Sequence, residues 1–191
     1  IKLVSRNPKK VNSTDILLPA DLTSQENIFK AIEGSAIVYV TIGFPYKTKA
    51  WKQYWLPFMQ SIVNACLKYN SKLVFFDNIY AIGGDNVKHI TEESPFSPTS
   101  KKGEIRAEID KLILKSIDED NLQAIIARAP DFFGGTSRAN SIIMNLVYDR
   151  FLKGKKAQWF CNAKKVHSYG YVPELAKGTA MPGNTEQAYN Q

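Results

Sequence analysis

The sequence predicts an α/β fold: a doubly wound parallel sheet with helices on both faces, a three-layer αβα arrangement. Three observations predict it. Short apolar runs rich in β-branched and aromatic residues recur at 36–42, 72–76 and 124–129, with little polar alternation, which is how strands buried on both faces read. Longer segments with apolar residues three and four apart separate them. The strand–helix rhythm then repeats, and parallel strands joined by right-handed crossovers are what such a rhythm builds.

The elements follow in order. Residues 2–5 read as the end of a strand, stopped at Asn7-Pro8. Residues 16–20 form a short second strand. Thr23 or Ser24 can cap a helix with Glu26 as the reciprocal partner, and Ile28, Phe29 and Ile32 give that helix one apolar face until Gly34 ends it. The strand at 36–42 closes at Gly43-Phe44-Pro45. A long helix is expected over 51–69, with Trp55, Phe58, Met59, Ile62, Val63, Cys66 and Leu67 on its inner stripe. Pro57 either kinks it or marks its first turn. The strand at 72–76 ends at Asp77-Asn78, and a polar loop runs over 83–100. A helix over 103–117 carries Ile105, Ile109, Leu112 and Ile113 on one face. After the strand at 124–129, residues 131–135 read as a loop, 139–153 as a helix, and the last forty as less regular.

The bulk composition bounds the function. With 191 residues, 44% hydrophobic and 23% charged, the chain can bury a real core as one domain or one domain with an appendage. It has no apolar run of the ~18 residues a membrane span requires, and no basic stretch followed by an apolar one at its start. The chain begins at Ile1, inside a strand, so the true N-terminus is expected upstream. Its two cysteines and two histidines lack C-x-x-C or H-x-x-x-H spacing, which argues against a zinc site and for a reducing cytoplasm. The net charge of +7 reads as a solvated basic surface. Its lysines are scattered and no run interleaves basic and aromatic residues in an RNP-like pattern, so a nucleic-acid partner is not expected.

Ligands of such sheets sit beyond the carboxyl ends of the strands, so the residues just after each strand are the candidates. Arg6, next to Ser5, can clamp a phosphate through two parallel hydrogen bonds, or can be an ordinary exposed arginine. Asp21 can accept from an adenine amino group with Leu22 against the ring; as a helix-start acid it is explained equally well. Gly43 after Thr41 allows a close approach of backbone to ligand, or is a plain turn glycine. Asp77, Asn78 and Tyr80 gather an acceptor, an amide and a phenol; the competing reading is an Asx turn.

Taken in order, five segments resemble the extended short-chain dehydrogenase/reductases, the NAD-dependent epimerase/dehydratase type: Val4-Ser5-Arg6 with Ala20-Asp21-Leu22; residues 73–83; Thr91-Glu92-Glu93-Ser94-Pro95; residues 127–134; and residues 167–174. The resemblance implies a Rossmann-type sheet lacking the family's first strand and glycine-rich loop, because no G-x-x-G-x-x-G occurs in the chain. It implies a partial dinucleotide-binding domain over 1–135, and over 136–191 a helix and the start of a substrate-binding part. Ser5, Arg6, Asp21, Leu22, Thr41, Gly43 and Pro130 would hold the cofactor, NADP ahead of NAD since no acid lies between Leu3 and Lys10. The family's Y-x-x-x-K pair falls on Lys102 and Arg106, and its Ser/Thr near Asn78; no tyrosine occurs between Tyr80 and Tyr148, so Tyr80 is the nearest phenol. Asn78, Tyr80, Lys102 and Arg106 are thus expected to face the nicotinamide, and His167 the substrate. Such atypical members include oxidoreductases or epimerases and proteins that only bind the cofactor. A homodimer through the helices at 51–69 and 103–117 is also implied.

Overall fold

The computed structural model describes residues 1–134, 141–160 and 162–184 of the chain. Strands β1 (Lys2–Ser5) and β2 (Ile16–Pro19) pair in parallel, with Lys2 opposite Ile16 and Ser5 opposite Pro19. Helix α1 (Gln25–Ile32) follows, capped by the Ser24 hydroxyl, which accepts from the Asn27 amide. Asp21 and Asn27 also tie the turn before it. Gly34, at φ +70°, turns the chain after the helix, a conformation that costs a glycine nothing.

Strands β3 (Ile37–Val40), β4 (Lys72–Asn78) and β5 (Ala124–Ala129) form the central parallel sheet in that order. Between them run α2 (Thr48–Tyr69) and α3 (Lys101–Asp120). Both helices stop at an asparagine in the left-handed region, Asn70 and Asn121, whose amides close the last turn. Pro57 lies inside α2, well beyond the first turn that starts at Thr48, so it is not the helix opening.

Helices cover both faces of the central sheet, as strand alternation requires. Phe75 of β4 points to the α2–α3 side and meets the Trp55 ring at 6.1 Å between centroids. Its neighbour Phe76 points to the other side, where it lines a cavity together with α5 (Val172–Gly183). On the first side Trp55, Met59, Val63, Phe75, Leu73, Ile109 and Ile113 are essentially solvent-free and form the core. Each such side chain contributes about 1.5–3 kcal/mol relative to exposure. Cys66 lies in this core as a buried thiol, its pKa pushed up to about 12 by burial.

Three regions depart from the sequence-based expectation. Strand β3 is only half-buried, with Tyr39 exposed, because it pairs on one edge with β4 and has no ladder partner on the other among the described residues. The expected loop at 131–135 holds a short strand, β6 (Asp131–Phe133), which pairs in parallel with β7 (Tyr169–Tyr171). Three-residue strands are too short to carry a periodic signal. The tail contains the full helix α5, whose Gly178 and Pro182 dilute its apolar pattern. The helix expected over 139–153 falls partly outside the described residues. Its described part is a π-turn (Met144–Tyr148) running into the short α4 (Asp149–Leu152). Among the described residues, no helix is long and apolar enough to cross a membrane.

Candidate active site at the carboxyl edge of the central sheet

Two phenols and an amine converge where β3 and β4 end. Asn78, the last residue of β4, accepts the Tyr80 amide through its side-chain oxygen at 2.9 Å. Asn78 therefore makes the Asx turn that presents Tyr80. The Tyr80 hydroxyl meets that of Tyr46 at 3.1 Å. Lys102, in the first turn of α3, places its ammonium 2.9 Å from the Tyr46 ring centroid and donates to the Tyr46 carbonyl at 3.3 Å. Trp51 stacks on Tyr80 and stands edge-on to Tyr46. Ser100 caps α3 by accepting the Gly103 amide. A Cβ on Gly103 would run into the Tyr80 carbonyl, so this glycine lets α3 begin directly against the Tyr80 turn.

The electrostatics make Tyr80 a donor. Burial raises its phenol well above the usual range, and the Tyr46 hydrogen bond and the Asp131 charge add to this; only Arg106 acts against it. Tyr80 thus keeps its proton at neutral pH and can donate a hydrogen bond to a bound carbonyl or hydroxyl.

Arg106 takes a different position from the one the resemblance implies. Its side chain is buried, forms an ion pair with Asp77 at 3.0 Å, and lies on the Trp55 ring at 3.8 Å. One turn along α3, the buried Asp110 pairs with Arg128 of β5 at 2.8 Å. These four residues bolt α3 to β4 and β5 behind the site. A guanidinium so engaged is a support for Trp51 and Tyr80 rather than a group open to a ligand. Burial first, and the Asp110 carboxylate second, push Asp77 up to about 7, against the pull of Arg106.

The remaining candidates sit at other strand ends. Ser5 closes β1, its carbonyl accepting the Ala20 amide. Arg6 is exposed beyond it, near enough for its charge to lower the Asp21 carboxyl, which is lowered chiefly by hydrogen bonds from the Thr23 amide and hydroxyl. Asp21 is thereby engaged at the start of α1, while Leu22 packs against the core. Thr41, just beyond β3, lines the cavity of about 710 Å³ beneath α5. Gly43 is exposed with open space where a Cβ would stand, so nothing steric demands glycine there. Pro130 joins β5 to β6. The structure thus gathers Tyr80 and Lys102 through Tyr46, and sets Arg6 beside Asp21 at the far sheet; Arg106 is enclosed.

His167 has company that sequence reasoning missed. Its Nε2 lies 2.9 Å from the Asp131 carboxylate, its ring stacks on Tyr169 at 4.7 Å, and Trp159 closes the edge at 6.1 Å. Asp131 had no local signal beyond its place at a strand end. Tyr46 had none either, because it belongs to the loop before α2.

A parallel α/β sheet with helices on both faces and polar side chains gathered beyond the carboxyl ends of its strands is the architecture of a doubly wound, Rossmann-type fold. The model of the NAD dependent epimerase/dehydratase family matches residues 2–188, and the chain belongs to that family. No curated protein matches it. Among solved structures it resembles a UDP-N-acetylglucosamine 4-epimerase from Methanobrevibacter ruminantium, in complex with UDP-N-acetylmuramic acid, at TM-score 0.82 and 16% identity over 97% of this chain and 65% of that one. A UDP-glucose 4-epimerase from Thermus thermophilus, in complex with NAD, matches at TM-score 0.78 and 16% identity, covering 96% and 66%. A dTDP-glucose 4,6-dehydratase double mutant from Streptomyces venezuelae, with NAD bound, matches at 0.79 and 13%, covering 90% and 55%. The chain therefore spans between about half and two thirds of their length.

Proposed function

We propose that the protein is an NAD(P)-dependent oxidoreductase or epimerase/dehydratase acting on a sugar nucleotide or another small carbonyl or hydroxyl substrate, with a non-standard active site. The observation that carries this is the Tyr80–Tyr46–Lys102 cluster at the carboxyl edge of β3 and β4. The adenosine end of a dinucleotide fits the exposed Arg6 guanidinium beside Ser5, with Leu22 at the ring; Arg6 would favour a 2′-phosphate and hence NADP. Thr41, Gly43 and Pro130 would border the rest. The pyrophosphate cradle of the family, a glycine-rich loop, has no counterpart in these 191 residues.

The bound dinucleotide supplies the hydride acceptor and donor. This chain's residues do the rest. Tyr80 donates a hydrogen bond to the reacting oxygen, and the Lys102 charge beside the two phenols favours negative charge developing there. Asn78 holds the turn that aims Tyr80.

Hydride transfer between NAD(P) and UDP-glucose, measured on the full-length protein, tests this reading. Tyr80→Phe is expected to lower kcat about 100-fold with dinucleotide affinity unchanged. Arg6→Ala is expected to lower the NADPH-to-NADH affinity ratio; an unchanged ratio removes the 2′-phosphate assignment. A second reading, a catalytically inactive NADP-binding sensor, is favoured by one observation: the Lys102 amine is already engaged on Tyr46. Tight dinucleotide binding without turnover across a panel of sugar nucleotides would decide for it.

A further inference from the structure

Tyr80 holds its proton, so oxidation of a substrate hydroxyl needs another group to receive one. The backbone register brings such a group alongside. Asn78 of β4 stands opposite Ala129 of β5, so Tyr80 and Asp131, each two residues further on, leave the sheet side by side. Asp131 in turn stands opposite Tyr169 of β7, two residues after His167. The Asp131 charge is felt by both phenols, Tyr80 and Tyr169. Its carboxylate fixes the His167 ring through Nε2, and Tyr169 and Trp159 hold the ring's face and edge. Nε2 is spoken for, which leaves Nδ1 to a ligand, and the His167 side chain is about half exposed, at 47%.

We propose that His167 is the proton-transfer residue of this site and Asp131 the positioning residue that sets its tautomer. Resting on the function proposed above, the step is as follows. The hydroxyl O–H of the substrate breaks and its proton passes to Nδ1 of His167. The C–H on the same carbon breaks and leaves with its electron pair as hydride to the oxidised nicotinamide dinucleotide. The carbon becomes a carbonyl, hydrogen-bonded by Tyr80; reduction returns both. Imidazole is the side chain suited to this exchange near neutrality, and a carboxylate on the opposite nitrogen keeps the accepting lone pair on the substrate side.

Nitrogen NMR of the full-length protein reads the tautomer without turnover. The His167 signals are identified as those that disappear in His167→Gln, whatever other histidines, His89 among them, the protein carries. The neutral ring is expected to carry its proton on Nε2, and to lose that bias in Asp131→Asn. A proton on Nδ1, or a bias that Asp131→Asn leaves unchanged, overturns the assignment. With NAD and UDP-glucose, His167→Gln should cut kcat about 100-fold while KM and NAD affinity hold. Full turnover in that variant overturns the role of His167 alone and leaves the function standing. Dinucleotide binding with no hydride transfer in the wild type, with NAD or NADP and across a panel of sugar nucleotides, overturns both.

Discussion

At the scale of single residues, the site depends on close approach as much as on chemistry. Gly103 is the clearest case. The helix carrying Lys102 can start against the Tyr80 turn only because position 103 has no side chain; a Cβ would strike the Tyr80 carbonyl and stand 3.0 Å from Cβ of Pro98. Gly103→Ala is expected to destabilise the protein by about 1–3 kcal/mol, the usual cost of overpacking, read from a shift in the urea midpoint at constant slope. Because the strain falls between Lys102 and Tyr80, the same variant should also lose hydride transfer out of proportion to its stability. Residue type at a strand end marked Tyr80, and the family resemblance marked Lys102 and His167. What they left open was company: Tyr46 and Asp131, which hold Tyr80 and His167 through hydrogen bonds spanning 34 and 36 positions of sequence, are visible only once the chain is folded.

Between elements, the joint of α3 with β4 and β5 is made by charge inside the core. Asp77 and Arg106 are buried together, as are Asp110 and, in larger part, Arg128. Such pairs add little net stability over an apolar packing, yet breaking one leaves an unpaired buried charge. Asp77→Ala is therefore expected to cost about 3–5 kcal/mol in chemical denaturation. The pH dependence follows from the raised carboxyl. Asp77 ionises near 3.8 in the unfolded chain and at about 7 in the folded one, so the folded state binds the extra proton between these values. Its contribution to stability is fully present below about 4 and is lost as pH rises towards 7. The Asp110 carboxyl is raised too and acts in the same direction. Denaturation midpoints measured from pH 4 to 7 should fall in the wild type and flatten in Asp77→Asn. The family resemblance implied a place for Arg106 at the ligand; the side of α3 it occupies, beneath Trp51 and Trp55, is what takes it inside.

Across the whole molecule, burial is uneven. In the central sheet β4 and β5 are largely buried, covered by α2 and α3 on one face and in part by α5 on the other, whereas β2 is exposed at three of its four residues and β1 is only half-buried. Amides of the β1–β2 pair are expected to exchange hydrogen well before those of β3, β4 and β5, since local opening there uncovers little apolar surface. Mass-resolved exchange would check this; equal protection of both sheets would show one cooperative unit instead. Dinucleotide binding at Arg6 should narrow the gap, because a ligand favours the folded form of whatever holds it.

Local pattern was enough for the strand at 124–129, the core stripe of α2 and the face of α3, and with them the parallel α/β class. Period and composition are local properties, and they suffice for local structure. The sequence also marked which residues follow the strands, the place where ligands of such sheets are expected. Which side chains meet is settled by folding: Lys102 on Tyr46, Arg106 on Asp77, Asp131 on His167. These meetings depend on strand register and on the rotation of α3 against the sheet. Both are set by packing between segments far apart in the chain, which no local pattern encodes. The three-residue strands β6 and β7 belong with them, since each exists only because the other lies alongside.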